Sequence, residues 1–257
     1  MLLEASHVCV SLGGKRIVED ISFSLMEGEW LMLIGPNGAG KSTLLSALSG
    51  TLPCEGDIRL TGLPLATMKS TERAKRMGLL LQKNSGDFDF TVEEVVRLGR
   101  YASRRSPFAS PDAGTQRVEE ALTLTGMQEM RHKRIRTLSG GEVQRAFLAQ
   151  VLAQDPSVLL LDEPGNHLDY IYQKQLFTLI DRWRRQPGRA VLCVVHDVAI
   201  ARRFADRILL MDHGKASALG TPEEVLQADR LRDVYSMDIH AWLHDLYAPW
   251  QTEDAAE

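Results

Sequence analysis

The chain has 257 residues, of which 44 % are hydrophobic and 25 % charged, and its formal net charge at pH 7 is −4. That is the make-up of an ordinary soluble globular protein, long enough for one large domain with a subdomain, and it offers no basic face or stripe for nucleic acid. Cys9, Cys54 and Cys193 are odd in number and far apart, with no C-x-x-C pair, so they indicate neither a disulfide framework nor a zinc site and fit a reducing cytosol.

The first buried run is Trp30 to Ile34 (WLMLI), short, apolar and non-alternating, as a strand covered on both faces should be. It leads into GPNGAGKST, that is Gly35, Pro36, Asn37, Gly38, Ala39, Gly40, Lys41, Ser42 and Thr43, and then into a helical pattern over Leu44 to Leu48. A G-x-x-x-x-G-K-[ST] run between a strand and a helix is a phosphate-binding loop. Its glycines let backbone N–H groups turn toward phosphate oxygens, the helix N-terminus adds positive potential, and Lys41 supplies a point charge for the β- and γ-phosphates. Ser42 is placed to hold Mg²⁺. A plain strand–turn–helix with a glycine turn is the bland alternative.

From about Gln82 to Leu138 the strand-like runs stop and the pattern turns helical, which marks a candidate subdomain. Thr91 and Glu94 form a capping box ahead of Val92, Val95 and Val96, and Ser110 with Pro111 reads as a second helix start. Leu138 to Glu142 (LSGGE), followed by Gln144 and Arg145, opens another capped helix: Ser139 and Glu142 make the box, while Gly140 and Gly141 bare the first-turn N–H groups. That is a second helix end suited to an anion. Val158 to Pro164 (VLLLDEP) is an apolar strand ending in two carboxylates, which point different ways at a strand end and can take different tasks. Asp162 suits Mg²⁺, and Glu163 suits the positioning or deprotonation of an attacking water. Taken alone such a pair is more often a solvated turn; its place after the phosphate loop reverses that weighting.

Ala190 to Val195 (AVLCVV) and Arg207 to Met211 (RILLM) complete the buried runs. Buried helix turns would read the same in isolation, but start-signalled helices lie between the runs, so the string describes a mostly parallel sheet with helices on both faces. None of the runs approaches the length needed to span a bilayer, and no apolar leader precedes them, so any membrane role passes through a partner. Gly214 marks a turn, and Thr221, Pro222 and Glu224 open one more helix. His240 and His244 lie four apart without a third ligand, which fits an amphipathic tail helix carrying Trp242, Leu243 and Leu246 better than a metal site. The segment from Thr252 (TEDAAE) is small and acidic, with fraying expected.

GPNGAGKST, LSGGE, VLLLDEP, NHLD (Asn166 to Asp169) and VVHD (Val194 to Asp197), in this order, resemble the ATP-binding-cassette ATPases from about Leu3 to about Leu226. The resemblance implies an α/β fold: a mostly parallel P-loop NTPase core over 1–82 and 139–230, a small antiparallel β part, a helical subdomain inserted at 83–138 and a tail at 231–257. It also implies a homodimer packed head to tail, with Ser139, Gly140, Gly141 and Glu142 of one subunit covering the γ-phosphate of the ATP held by the other. Carried over by position, Gln82 resembles the Q-loop glutamine that touches Mg²⁺ and senses a permease. Asp169 resembles the D-loop aspartate, and His196 the switch histidine that holds the γ-phosphate and orients Glu163. Two departures stand out. Leu12 replaces the usual adenine-stacking aromatic, leaving apolar packing or a contact from Lys15 or Arg16 as substitutes, and Gly165 replaces the usual threonine after DEP.

FDFTVEEVVRLGRY (Phe88 to Tyr101) resembles the post-Q-loop stretch of ATPases that serve importers of iron-siderophores, haem and cobalamin. The expectation is an ATP- and Mg²⁺-dependent subunit peripheral to the cytoplasmic face of the cell membrane, with a permease docked near Gln82 to Phe90. A periplasmic or surface substrate-binding protein would act indirectly, and nucleic acid has no part. The alternatives are the ATPase subunit of an exporter and a soluble ATPase outside transport. The absence of a tandem second cassette, a coiled-coil insertion and a basic face counts against the second of these.

Overall fold

The computed structural model describes residues 1–81, 89–103, 112–166 and 168–251. The chain opens with two long strands, β1 (Leu3–Leu12) and β2 (Lys15–Leu25), paired antiparallel through a tight turn. Leu3, Ala5, Val8 and Val10 face inward along β1, and the register slips between Ala5 and Val8 and again near Val10. β3 (Trp30–Ile34) follows, then α1 (Lys41–Leu48), and two further antiparallel strands, β4 (Glu55–Leu60) and β5 (Leu63–Pro64), complete a four-stranded sheet in the order β2-β1-β4-β5.

After α2 (Ser70–Arg76) and β6 (Met77–Leu80) come three helices, α3 (Val92–Leu98), α4 (Asp112–Leu124) and α5 (Gly140–Ala153), which pack on one another. Thr91 and Ser139 cap α3 and α5 with the two capping boxes expected from the sequence. The second helix start expected there, Ser110 with Pro111, lies outside the described residues, as does Gln82. The remaining elements are β7 (Val158–Asp162), α6 (Tyr170–Arg184), β8 (Ala190–Val194), α7 (Val198–Phe204), β9 (Arg207–Asp212), β10 (Lys215–Gly220), α8 (Pro222–Val225), α9 (Ala228–Tyr235) and α10 (Ile239–Gln251).

The six-stranded sheet has the order β10-β9-β3-β8-β7-β6, parallel except for the β9–β10 hairpin. Every residue of β3, β7 and β8 is buried, the result of covering a parallel sheet on both faces. β3 shows the layering directly: Trp30, Met32 and Ile34 join the core shared with α3 to α7, while Leu31 and Leu33 join the core shared with α1 and the antiparallel sheet. Trp30 packs its ring against Phe177 of α6 at 6.0 Å and Phe204 of α7 at 5.7 Å, locking both helices to the sheet.

α10 departs from the stripe expected of it. Ile239 is buried and Leu243 packs on the core, whereas Trp242 and Leu246 are exposed; Nε2 of His240 bonds the Leu226 carbonyl at 2.8 Å. Among the described residues no cluster of His, Cys, Asp and Glu suits a metal ion, and no helix is long and apolar enough to cross a membrane.

Candidate functional site

β3, β8 and β7 lie side by side and parallel, so the segments leaving their carboxyl ends emerge at one edge of the sheet. Gly35 follows β3, Asp162 ends β7, and His196 stands two residues past β8. Strand order alone thus brings together residues far apart in sequence, at the edge where open α/β sheets hold ligands.

The loop after β3 turns back through a bond from the Ala39 N–H to the Pro36 carbonyl and enters α1 at Gly40. Gly40 has φ 96°, and a Cβ there would come within 2.9 Å of the Ile17 carbonyl oxygen, so both the turn and the approach of β2 require glycine. Lys41, first in α1, is buried, and its Nζ donates to the carbonyls of Gly35 at 2.7 Å and Pro36 at 2.9 Å. Burial pulls the Lys41 ammonium below the usual lysine range, and the nearby carboxylates of Glu163 and Asp162 oppose this.

Across the edge, the buried Asp162 carboxylate accepts from the Ser42 hydroxyl at 3.2 Å. Burial pushes its carboxyl above the ordinary aspartate range, and the Ser42 bond and Lys41 charge pull the other way. Glu163 takes a left-handed backbone with φ 51°, a conformation that costs a non-glycine residue roughly 1–2 kcal/mol. The twist turns its side chain away from that of Asp162, toward the end of β8. There Oε1 of Glu163 bonds Nε2 of His196, and Oε2 accepts from the Asn166 amide. The site therefore offers a buried cation, two divergent carboxylates and an imidazole, with hydroxyl and carboxylate oxygens 3.2 Å apart, suited to a hard cation.

The helix end at α5 is formed as its sequence requires. The Ser139 N–H donates to the Glu142 carboxylate at 2.7 Å, the Ser139 hydroxyl at 2.8 Å, and the hydroxyl accepts from the Glu142 N–H at 3.4 Å. These bonds hold Glu142 below the usual carboxylate range. Among the described residues, no hydrogen bond or ion pair joins Ser139 or Glu142 to the phosphate loop of their own chain. Asp169 caps α6 by accepting from the Tyr172 N–H at 2.9 Å. Leu12 is exposed at the end of β1, and the Arg16 guanidinium is engaged by Glu55.

A family model described as ABC transporter matches residues 18–166, more than half of the chain. The chain belongs to the ABC transporter family. As a member of it, the chain is an ATPase subunit that binds and hydrolyses ATP. A hemin import ATP-binding protein, HmuV of Pseudomonas fluorescens (strain Pf0-1), is 40 % identical over 251 residues, 95 % of this chain and 96 % of its own. An uncharacterized ABC transporter ATP-binding protein, YvrA of Bacillus subtilis (strain 168), is 41 % identical over 244 residues; the match takes in 94 % of this chain, which spans 55 % of that relative's length. Among solved structures, cbiO1 of Clostridium perfringens, part of the ABC transporter complex cbiONQ, superposes with TM-score 0.78 at 25 % identity, covering 95 % of this chain and 98 % of its own.

Two contacts of this cassette escaped the sequence reading. Asn166 was visible only as a letter of the NHLD run, and its amide reaches the Glu163 carboxylate. Gln144, four residues into α5, donates to the Pro164 carbonyl at 2.6 Å and so ties the LSGGE helix to the loop that carries Glu163. The signal for both was a single amide side chain, a residue type with no fixed task.

Proposed function

We propose that Lys41 and the backbone of residues 35–43 hold the ATP phosphates, that Ser42, Asp162 and Gln82 hold Mg²⁺, and that Glu163 takes the proton of the attacking water. Bound Mg²⁺ would screen the charge of the β- and γ-phosphates. As the water oxygen bonds to the γ-phosphorus, the bond from that phosphorus to the bridging oxygen breaks, giving ADP and inorganic phosphate. Lys41 and His196 supply positive charge or hydrogen bonds where negative charge collects. The Glu163–His196 pair across β7 and β8 is the observation that carries this assignment. Glu163→Gln keeps the phosphate loop intact and removes the proton acceptor. Its steady-state hydrolysis is expected to fall roughly 100-fold or more, with ATP binding retained and an ATP-bound dimer accumulating. Near-wild-type turnover would remove Glu163 from this role.

The same proposal extends to transport. The chain acts as a homodimer, peripheral to the cytoplasmic face of the membrane, and powers a separate permease that imports a metal chelate of the iron-siderophore, haem or cobalamin class, fed by a substrate-binding protein. The near-full-length likeness to hemin import proteins supports this and makes haem the first cargo to test. Residues 83–138 are the helical subdomain in this reading, between core segments 1–82 and 139–230 and ahead of a tail at 231–257. The permease docks near Gln82 to Phe90, where Phe90 is exposed and Asp89 is paired with Arg134 at 2.6 Å and Arg136 at 3.2 Å. Vesicles holding the chain with its permease should accumulate hemin only with ATP on the cassette side. Hemin movement in the opposite direction, or ATPase activity indifferent to the permease, would overturn the reading.

A further inference from the structure

We infer that Asn166 is a positioning residue for ATP hydrolysis, holding one oxygen of the Glu163 carboxylate so that the other points at the water. The inference rests on the assignment of Glu163 made above. Pro164 and Gly165 form the middle of a tight turn closed by the Asn166 N–H, which donates to the Glu163 carbonyl at 3.1 Å. The side chain of the same residue folds back to donate to Glu163 Oε2, so one residue fixes both the backbone and the carboxylate of Glu163. His196 occupies Oε1.

The two partners are not equivalent. His196 sits on its own segment past β8, is two-fifths exposed, and can leave Oε1 for another anion without disturbing the turn. Asn166 belongs to the turn itself, so the backbone bond that closes the turn keeps its amide within reach of Oε2. Oε1 is therefore the oxygen released for the proton of water, and Oε2 is the pivot that keeps the carboxylate aimed.

Gly165 is part of this arrangement. A Cβ at that position would lie 3.0 Å from Cε2 of Phe177 and 3.3 Å from Nε2 of Gln173, so the turn rests directly on α6, closer than a side chain allows without displacement. Glycine here seats the turn against a buried aromatic ring and fixes the distance from which the Asn166 amide reaches back. Among the described residues, Lys41 and Asp162 also act on the carboxylate by charge.

The test compares Asn166→Ala and Asn166→Asp with wild type and with Glu163→Gln in the full chain. Removing a hydrogen bond to a charged acceptor should lower kcat about tenfold or more, leaving the KM for ATP and the melting temperature close to wild type. The charged carboxylate loses a donor in Asn166→Ala and gains a like charge in Asn166→Asp. The loss of kcat should accordingly be larger in the second, with the KM for ATP unmoved in both. Asn166→Asp keeps size and shape and supplies the answer if the alanine variant folds poorly. Wild-type kcat in a folded variant overturns the inference. So does a loss of kcat that merely follows losses of ATP affinity and melting temperature. Wild-type turnover by Glu163→Gln would instead withdraw the assignment beneath it.

Discussion

Lys41 is the residue in which fold and chemistry conflict most. Its ammonium is buried at the start of a helix, where neighbouring N–H dipoles and desolvation both disfavour positive charge, and it is held by two carbonyls and the nearby carboxylates of Asp162 and Glu163. A triphosphate brings anionic oxygens to the same place, so much of the favourable charge pairing is realised only when ATP binds. Lys41→Ala should therefore weaken ATP binding by more than one neutral hydrogen bond, about tenfold or more, and abolish turnover. Calorimetric titration with MgATP reads the affinity, and an unchanged dissociation constant would count against the phosphate-loop assignment. Trp30 behaves differently, since its ring is wholly interior and packs on Phe177 and Phe204. Trp30→Ala should cost roughly 3–5 kcal/mol of stability in a denaturant titration by opening a cavity between α6 and α7.

At the scale of elements, the helices between β6 and β7 are joined by charge as well as by apolar contact. Arg131 donates to Glu93 of α3 at 3.0 Å and to Glu119 of α4 at 2.6 Å, and Arg97 adds a second cation on Glu93 at 2.6 Å. Hydrogen bonds from Arg131 and then Arg97 hold the Glu93 carboxyl down to about 2. A carboxyl held below its unfolded value stabilises the fold at pH above the ordinary glutamate range and loses that contribution as pH falls toward 2. Arg131→Ala should lower the melting temperature at pH 7, and the difference from wild type should shrink as pH drops from about 4.5 toward 2. A difference that holds constant across this window would show that Arg131 acts through packing alone. The capping boxes at Thr91, Ser139 and Thr221 could be read directly from the sequence, because a cap is a local device spanning four residues. The buried parallel strands were readable for a similar reason: every side chain in them except Asp162, the last residue of β7, is apolar. The antiparallel sheet was expected only through family resemblance, since register slips and the left-handed residues His7 and Asp20 interrupt the alternation of β1 and β2. The tail helix was foreseen, but of Trp242, Leu243 and Leu246 only Leu243 packs on the core, because Trp242 and Leu243 are adjacent and only packing decides which turns inward. The Asn166 and Gln144 contacts depend on how one turn sits against α5 and α6, and no pattern of residue types encodes that.

At the scale of the whole molecule, the two helix N-termini that suit phosphate pose a test of the dimer. α1 carries Lys41 at its start, whereas α5 has its first N–H groups beside Ser139 and, among the described residues, no hydrogen bond from Ser139 or Glu142 to the phosphate loop. If the α5 end of one subunit completes the ATP site of another, Ser139→Arg should leave ATP binding by the monomer intact and abolish hydrolysis. The substitution also removes a cap and sets a cation on a helix N-terminus, together about 1–2 kcal/mol of destabilisation. Ser139→Ala, which loses the cap without adding bulk or charge, separates the two effects and should retain much more activity. Mixing Lys41→Ala subunits with Ser139→Arg subunits provides the geometric test. In their heterodimer one site carries both defects and the other carries neither, so two inactive parents should together recover hydrolysis, to about a quarter of wild type for equal mixing of independently firing sites. Full hydrolysis by Ser139→Arg alone, at a concentration where the wild type dimerises, would show that each chain completes its own site and would end the head-to-tail arrangement.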